Sequence, residues 1–179
     1  MNEVLEFADP NTLAQLVGGV FFAVGAWLGS WFPDIDRIAV LRLRHRSTVT
    51  HGCALPALAI VAGGFAGNEW AGWAAAGFAA GVGLHLAFDM FPGKWRGFAL
   101  VDVPRLGRCT KTVSVAWLFV NVFACSGLAV WTVPALDTHS FIACVAVLGA
   151  LYLYGVFKKS EHFAAGPLLT LLSLGADAL

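Results

Sequence analysis

Several long stretches of this chain carry no charge at all, and no water-soluble fold accommodates that pattern. Thr12 to Phe32 contains only Gln15 and Ser30 as internal polar interruptions. Val113 to Val133 and His139 to Phe157 are equally free of charged residues. Trp70 to Phe91 is apolar until His85 and Asp89 near its end. Gly52 to Gly67 is apolar but short, and Pro56 should kink it. Begun at Thr48 or Thr50, either a good N-cap, it reaches spanning length. A spanning helix needs about 20 apolar residues to cross roughly 30 Å of hydrocarbon. Only 12% of the residues are charged, against roughly 25% in soluble domains. The expected architecture is therefore all-α, a polytopic transmembrane helical bundle of about five spans forming one integral membrane domain over residues 1–179. The tail, 163–179, reads as an interfacial or packed short helix.

The basic residues give that bundle an orientation. The chain has 11 Lys and Arg. Arg37, Arg42, Arg44 and Arg46 lie between the first and second segments. Lys94, Arg96, Arg105, Arg108 and Lys111 lie between the third and fourth, and Lys158 and Lys159 follow the fifth. With five spans every one falls on the same face, which the positive-inside rule makes the cytoplasm. The N-terminus is then outside and the C-terminus inside. MNEVLEFADPN has acids and no basic residue, so a cleaved signal peptide is not expected. Gly25 and Gly29 in the first segment, and Gly77 and Gly81 in the third, have the spacing that lets helix backbones approach closely in lipid.

Polar residues suited to a metal gather at the cytoplasmic ends of these spans. Asp34 and Asp36 follow the first, His45 and His51 precede the second, and His85 and Asp89 lie in the last turns of the third. His85 and Asp89 are four apart and share a helix face. Pro33 favours an extended or turn backbone that puts Asp34 and Asp36 on one side. An ionisable residue within a span is costly and marks function by default. Two histidines with two carboxylates suit zinc, with manganese the alternative, and the surplus of candidates leaves room for one or two ions. The four cysteines are scattered without a CxxC pair, so they read as small apolar filler.

The stretches GAWLGSWFPDIDR, HRSTVTHG and GLHLAFDMFPGKWRG, in this order, resemble the bacterial membrane-bound metal-dependent hydrolases of the YdjM type, the LexA-binding inner-membrane-associated hydrolases. The resemblance runs from about Gly18 to Pro104; the last third matches only as generic apolar helices. That family is regarded as distantly similar to zinc-dependent phospholipase C and P1-type nucleases. Carried over by motif, the resemblance implies Asp36, His51, His85 and Asp89 as one metal site, with Asp34 and His45 serving a second metal or supporting the first. Gly52 departs from the serine that many members have after TH. No N-terminal amine or tryptophan is evident that would complete a trinuclear cluster.

The expected activity is hydrolysis of a phosphoester in a lipid or lipid-linked substrate at the cytoplasmic leaflet of the inner membrane. A bound metal activates water and polarises the phosphoryl oxygen. Asp34, Asp36 and His45 are the candidates for positioning that water or taking its proton. Arg44, Arg46, Lys94 and Arg96 are candidates for holding the phosphate, although orientation in the membrane also explains them. The alternative is a non-enzymatic, metal-stabilised membrane protein that docks a cytosolic regulator. A transporter should carry ionisable groups at mid-span, and the spans lack them. No nucleophile motif, P-loop or dinucleotide fingerprint occurs. Direct nucleic-acid binding is not expected, because topology accounts for the basic loops.

Overall fold

A computed structural model describes residues 10–37, 43, 45–92 and 94–133. Four helices dominate it: α1 Pro10–Trp31, α2 Ala54–Phe65, α3 Glu69–Asp89 and α4 Lys111–Thr132. Proline opens α1 at the position where its missing N–H is harmless. Pro33 disfavours continuing the helix through Phe32, and the chain tightens into a 3-10 turn over Phe32–Arg37. Gly67, at φ +61, ends α2 in the left-handed region that glycine enters without penalty. Asn68 then caps α3, its Oδ1 accepting the Trp70 N–H at 3.0 Å.

The α1/α3 contact organises the molecule. A Cβ added at Gly77 or Gly81 would collide with the carbonyl oxygens of Phe22 or Ala26. One added at Gly25 or Gly29 would collide with those of Ala74 or Phe78. Both small-residue pairs thus meet at one seam, as their spacing predicts. The facing positions Phe22/Gly77, Ala26/Gly81 and Ser30/His85 each differ by 55, so α1 and α3 run parallel. Parallel neighbours require the chain between them to return, and α2 does this, its Gly63 lying against Ala71 and Ala75 of α3. Helix α4 runs antiparallel to α3: Trp73 and Ala76 cluster with Ala129 and Val133, while Val82 and Leu86 cluster with Leu118 and Val122.

Helix α3 is consequently central, with 67% of its most apolar stretch buried against 28% for that of Leu13–Asp36 and 39% for that of α4. The outer faces of α1 and α4 expose Leu16, Val20, Val120 and Trp131, as suits helices facing lipid. The segment Leu13–Asp36, α3 and α4 are each long and apolar enough to cross a membrane.

Three expectations need correction. Helix α2 has 12 residues, a rise of about 18 Å, short of a full span. It starts at Ala54 and not at Thr48 or Thr50, because residues 45–53 coil into turns in which the Thr50 N–H and the His51 N–H both bond the Ser47 carbonyl. Pro56 sits in the first turn of α2, where its missing N–H costs no intrahelical hydrogen bond and gives no cause for a kink. The described residues are otherwise helical, consistent with the all-α expectation, with one short hairpin in the loop between α3 and α4, where Asp102–Val103 (β1) pairs antiparallel with Gly107–Arg108 (β2). The apolar segment 139–157, the tail 163–179, Lys158, Lys159 and the N-terminal residues 1–9 lie outside the described residues.

Candidate metal centre

Three stretches far apart in sequence deliver their polar side chains to one place. The 3-10 turn ending α1 brings Asp34 and Asp36, the turns before α2 bring His45 and His51, and the last turns of α3 bring His85 and Asp89. The parallel register of α1 and α3 makes this possible, because both helices finish at the same end.

At the centre lie His51 Nε2, His85 Nε2 and Asp89 Oδ2. Asp89 Oδ2 is 3.2 Å from His51 Nε2 and 3.5 Å from His85 Nε2. Zinc–ligand bonds of about 2.0–2.1 Å in a tetrahedron separate ligand atoms by about 3.3 Å, so both spacings suit donors to a shared ion. Despite that proximity, His51 Nε2 and Asp89 Oδ2 are buried and make no hydrogen bond among the described residues. Buried polar atoms are rarely left so, and a cation would satisfy both. His51, His85 and Asp89 therefore form a group able to hold a metal ion.

Each of the three is oriented from behind. His85 Nδ1 lies 2.8 Å from the Ser30 carbonyl. A carbonyl only accepts, so Nδ1 carries the proton and the Nε2 lone pair faces the centre. Asp89 Oδ1 accepts from Arg46 Nη2 at 2.8 Å. On the far side of the His51 ring, Nδ1 is 3.1 Å from Thr50 Oγ1 and 3.3 Å from Asp36 Oδ2. Burial opposes charging of His51, yet the negative carboxylates of Asp36 and Asp89 beside the ring outweigh it and raise its pKa above the ordinary imidazole value. The pocket is thus poised to take positive charge.

Asp36, His45 and His51 form a second convergent group, in which His45 Nδ1 is 3.3 Å from Asp36 Oδ1 and 4.0 Å from Asp34 Oδ1. A neutral imidazole has one lone pair, so His51 cannot serve both groups. The Nε2 atom, without a hydrogen-bond partner among the described residues, lies on the side of His85 and Asp89. Asp36 then stands behind His51 instead of beside it, its Oδ2 accepting from the Ser47 N–H at 3.2 Å and the Thr50 hydroxyl at 3.1 Å.

Of the basic residues expected to hold phosphate, Arg46 is placed differently. It is buried, and its Nη1 donates to the Ala99 carbonyl at 2.6 Å while Nη2 engages Asp89. Lys94 and Arg96 are exposed on the loop whose Ala99 Arg46 binds. Arg44 lies outside the described residues. Cys53, Cys109 and Cys125 form no disulfide among the described residues.

Two residues of α4, outside the motif-bearing region, hold the histidine turn in place. Trp117 Nε1 donates to the His51 carbonyl at 2.7 Å. Asn121 Oδ1 accepts the Cys53 N–H at 2.8 Å, while its Nδ2 donates to the Trp117 carbonyl. The one available signal was an asparagine within an otherwise apolar span. Asn121→Ala should leave the Cys53 N–H without its acceptor and lower stability by about 1–3 kcal/mol. An unchanged thermal midpoint in detergent would show that this bond contributes nothing.

The chain matches no family model, no curated protein and no solved structure.

Proposed function

We propose that the protein is a metal-dependent hydrolase of the cytoplasmic leaflet, acting on phosphoester bonds of a lipid or lipid-linked substrate, as its resemblance to the YdjM-type hydrolases implies. The observation that carries the reading is the convergence of His51 Nε2, His85 Nε2 and Asp89 Oδ2, two of them buried without hydrogen-bond partners among the described residues. Three protein donors are the complement of a catalytic site, which keeps a position open, whereas structural sites are closed by four. A bound divalent ion, zinc in preference to manganese, supplies Lewis acidity toward water and a phosphoryl oxygen.

The chain's own groups supply the rest. Exposure rises outward from wholly buried His51 through His85 and His45 to Asp34, whose side chain is 37% exposed. His45 and Asp34 therefore line the open side, where they accept a proton from attacking water and pass it to solvent. Lys94 and Arg96, exposed at the same end of the bundle, attract the anionic headgroup. The orientation follows from charge: among the described residues, Arg37, Arg46, Lys94 and Arg96 sit where α1 and α3 finish, which is the cytoplasmic end under the positive-inside rule. Counting α2 as a short return pass and the apolar sequence 139–157 as a further one keeps the expected arrangement of about five passes, with the N-terminus outside.

The test is metal analysis of the purified full chain, wild type against His85→Ala, joined to a screen of phospholipids and lipid phosphates for hydrolysis. Wild type should hold about one equivalent of zinc that His85→Ala lacks. Full retention of metal by His85→Ala would remove the proposed ligand set. Bound metal without turnover on any lipid phosphate would instead favour the regulator-docking alternative.

A further inference from the structure

We propose that Arg46 is a positioning residue that makes Asp89 a one-oxygen ligand; this rests on the metal-site reading above. An arginine beside a carboxylate ordinarily forms two parallel N–H···O bonds, which satisfies both oxygens. Here only one forms, from Arg46 Nη2 to Asp89 Oδ1 at 2.8 Å. The atoms that would make the second bond, Arg46 Nε and Asp89 Oδ2, are both buried and both lack a hydrogen-bond partner among the described residues. Asp89 Oδ2 points instead at the imidazoles, 3.2 Å from His51 Nε2 and 3.5 Å from His85 Nε2. Forgoing the second bond leaves one oxygen committed to the guanidinium and the other available to an ion.

The guanidinium is held in that pose from several directions. Its second amino group donates to the Ala99 carbonyl at 2.6 Å, and its carbon lies 6.0 Å from the centre of the Trp95 ring. The backbone of Arg46 adopts φ +61, a left-handed conformation sparsely populated by residues with a side chain. It is fixed there by the Asp102 N–H, which donates to the Arg46 carbonyl at 2.9 Å. A side-on grip by Nε and Nη2 would have to draw Asp89 Oδ2 away from the two imidazoles it faces. A lysine has the charge but no rigid fork, so it cannot hold Ala99 and Asp89 in fixed relative directions.

The experiment compares wild type, Arg46→Lys, Arg46→Met and His85→Ala as full chains in detergent. Zinc affinity is read by chelator competition and coordination number by the absorption of the cobalt-loaded protein. Wild type should give the intense bands of a four-coordinate ion. Both Arg46 variants should bind zinc about 10–100-fold more weakly, and their cobalt bands should weaken as Asp89 closes on the ion with both oxygens. Arg46→Lys with wild-type affinity and bands would overturn the inference, leaving Arg46 as mere counter-charge. If Arg46→Met does not fold, Arg46→Lys decides alone. Absence of stoichiometric metal in wild type, or its retention by His85→Ala, would instead sink the metal site itself, and this inference with it.

Discussion

Gly77→Leu is expected to abolish the folded bundle, while Gly72→Ala, five residues earlier on the same helix, should be tolerated or slightly stabilising. The difference lies in what each new side chain meets. At Gly77 the first carbon already intrudes on the backbone of Phe22, and at Gly72 none of the described residues lies within 4 Å of it. Overpacking costs about 1–3 kcal/mol where side chains can yield. The obstacle at Gly77 is main chain, so the cost belongs at or above the top of that range. Separating α1 from α3 also breaks the register that brings Ser30 to His85, and metal binding should fail with the fold. At Gly72 the alanine removes backbone freedom worth about 0.5–1 kcal/mol in a helix. Size-exclusion profiles and unfolding midpoints in detergent provide the check. A monodisperse Gly77→Leu protein melting like wild type would mean that the helices do not pack through this seam.

The seam was legible in the sequence because its determinant is simple: two glycines one helical turn apart, twice. The apolar windows of α1, α3 and α4 were legible for the same reason, since hydrocarbon demands length and lack of charge and little else. The gathering of His51, His85 and Asp89 followed from counting helix ends. The resemblance supplied Asp36 as a partner of that group, and the geometry puts it behind the His51 ring. What the sequence hid are features set by long-range partners. Thr50 has every local credential of an N-cap, but its hydroxyl is drawn 3.1 Å from Asp36, and α2 starts four residues later. Arg46 reads as one more loop cation until a carboxylate 43 positions away claims it. Trp117 and Asn121 look like ordinary residues of a span, and only the packing of α4 beside the turn shows whose backbone they hold. The hairpin at 102–108 rests on pairing too short to leave a periodic trace.

Asp36→Ala should be the most damaging single change outside the helix seam, and Asp36→Asn should separate the two roles open to this residue. The residue is 2% exposed. It gathers the Ser47 N–H, the Thr50 hydroxyl and His45 Nδ1, with His51 Nδ1 at 3.3 Å. Every one of these partners belongs to the turn between α1 and α2, so Asp36 fastens that turn to the end of α1. Removing one partner from a buried charged network costs about 3–5 kcal/mol, because the others remain buried without compensation. The alanine variant should therefore lose stability and metal together. The asparagine keeps an oxygen for Ser47 and Thr50 and keeps the shape, so the turn should persist. If Asp36 acts through His51, as the geometry indicates, Asp36→Asn should weaken zinc binding about 10–100-fold and still saturate at one equivalent. If Asp36 were itself a ligand, Asp36→Asn would fail to load at all and match His85→Ala. Titration of both purified variants with zinc, followed by unfolding with and without the ion, decides between these outcomes. The positioning role requires a saturable, weakened site in which zinc still raises the midpoint of Asp36→Asn.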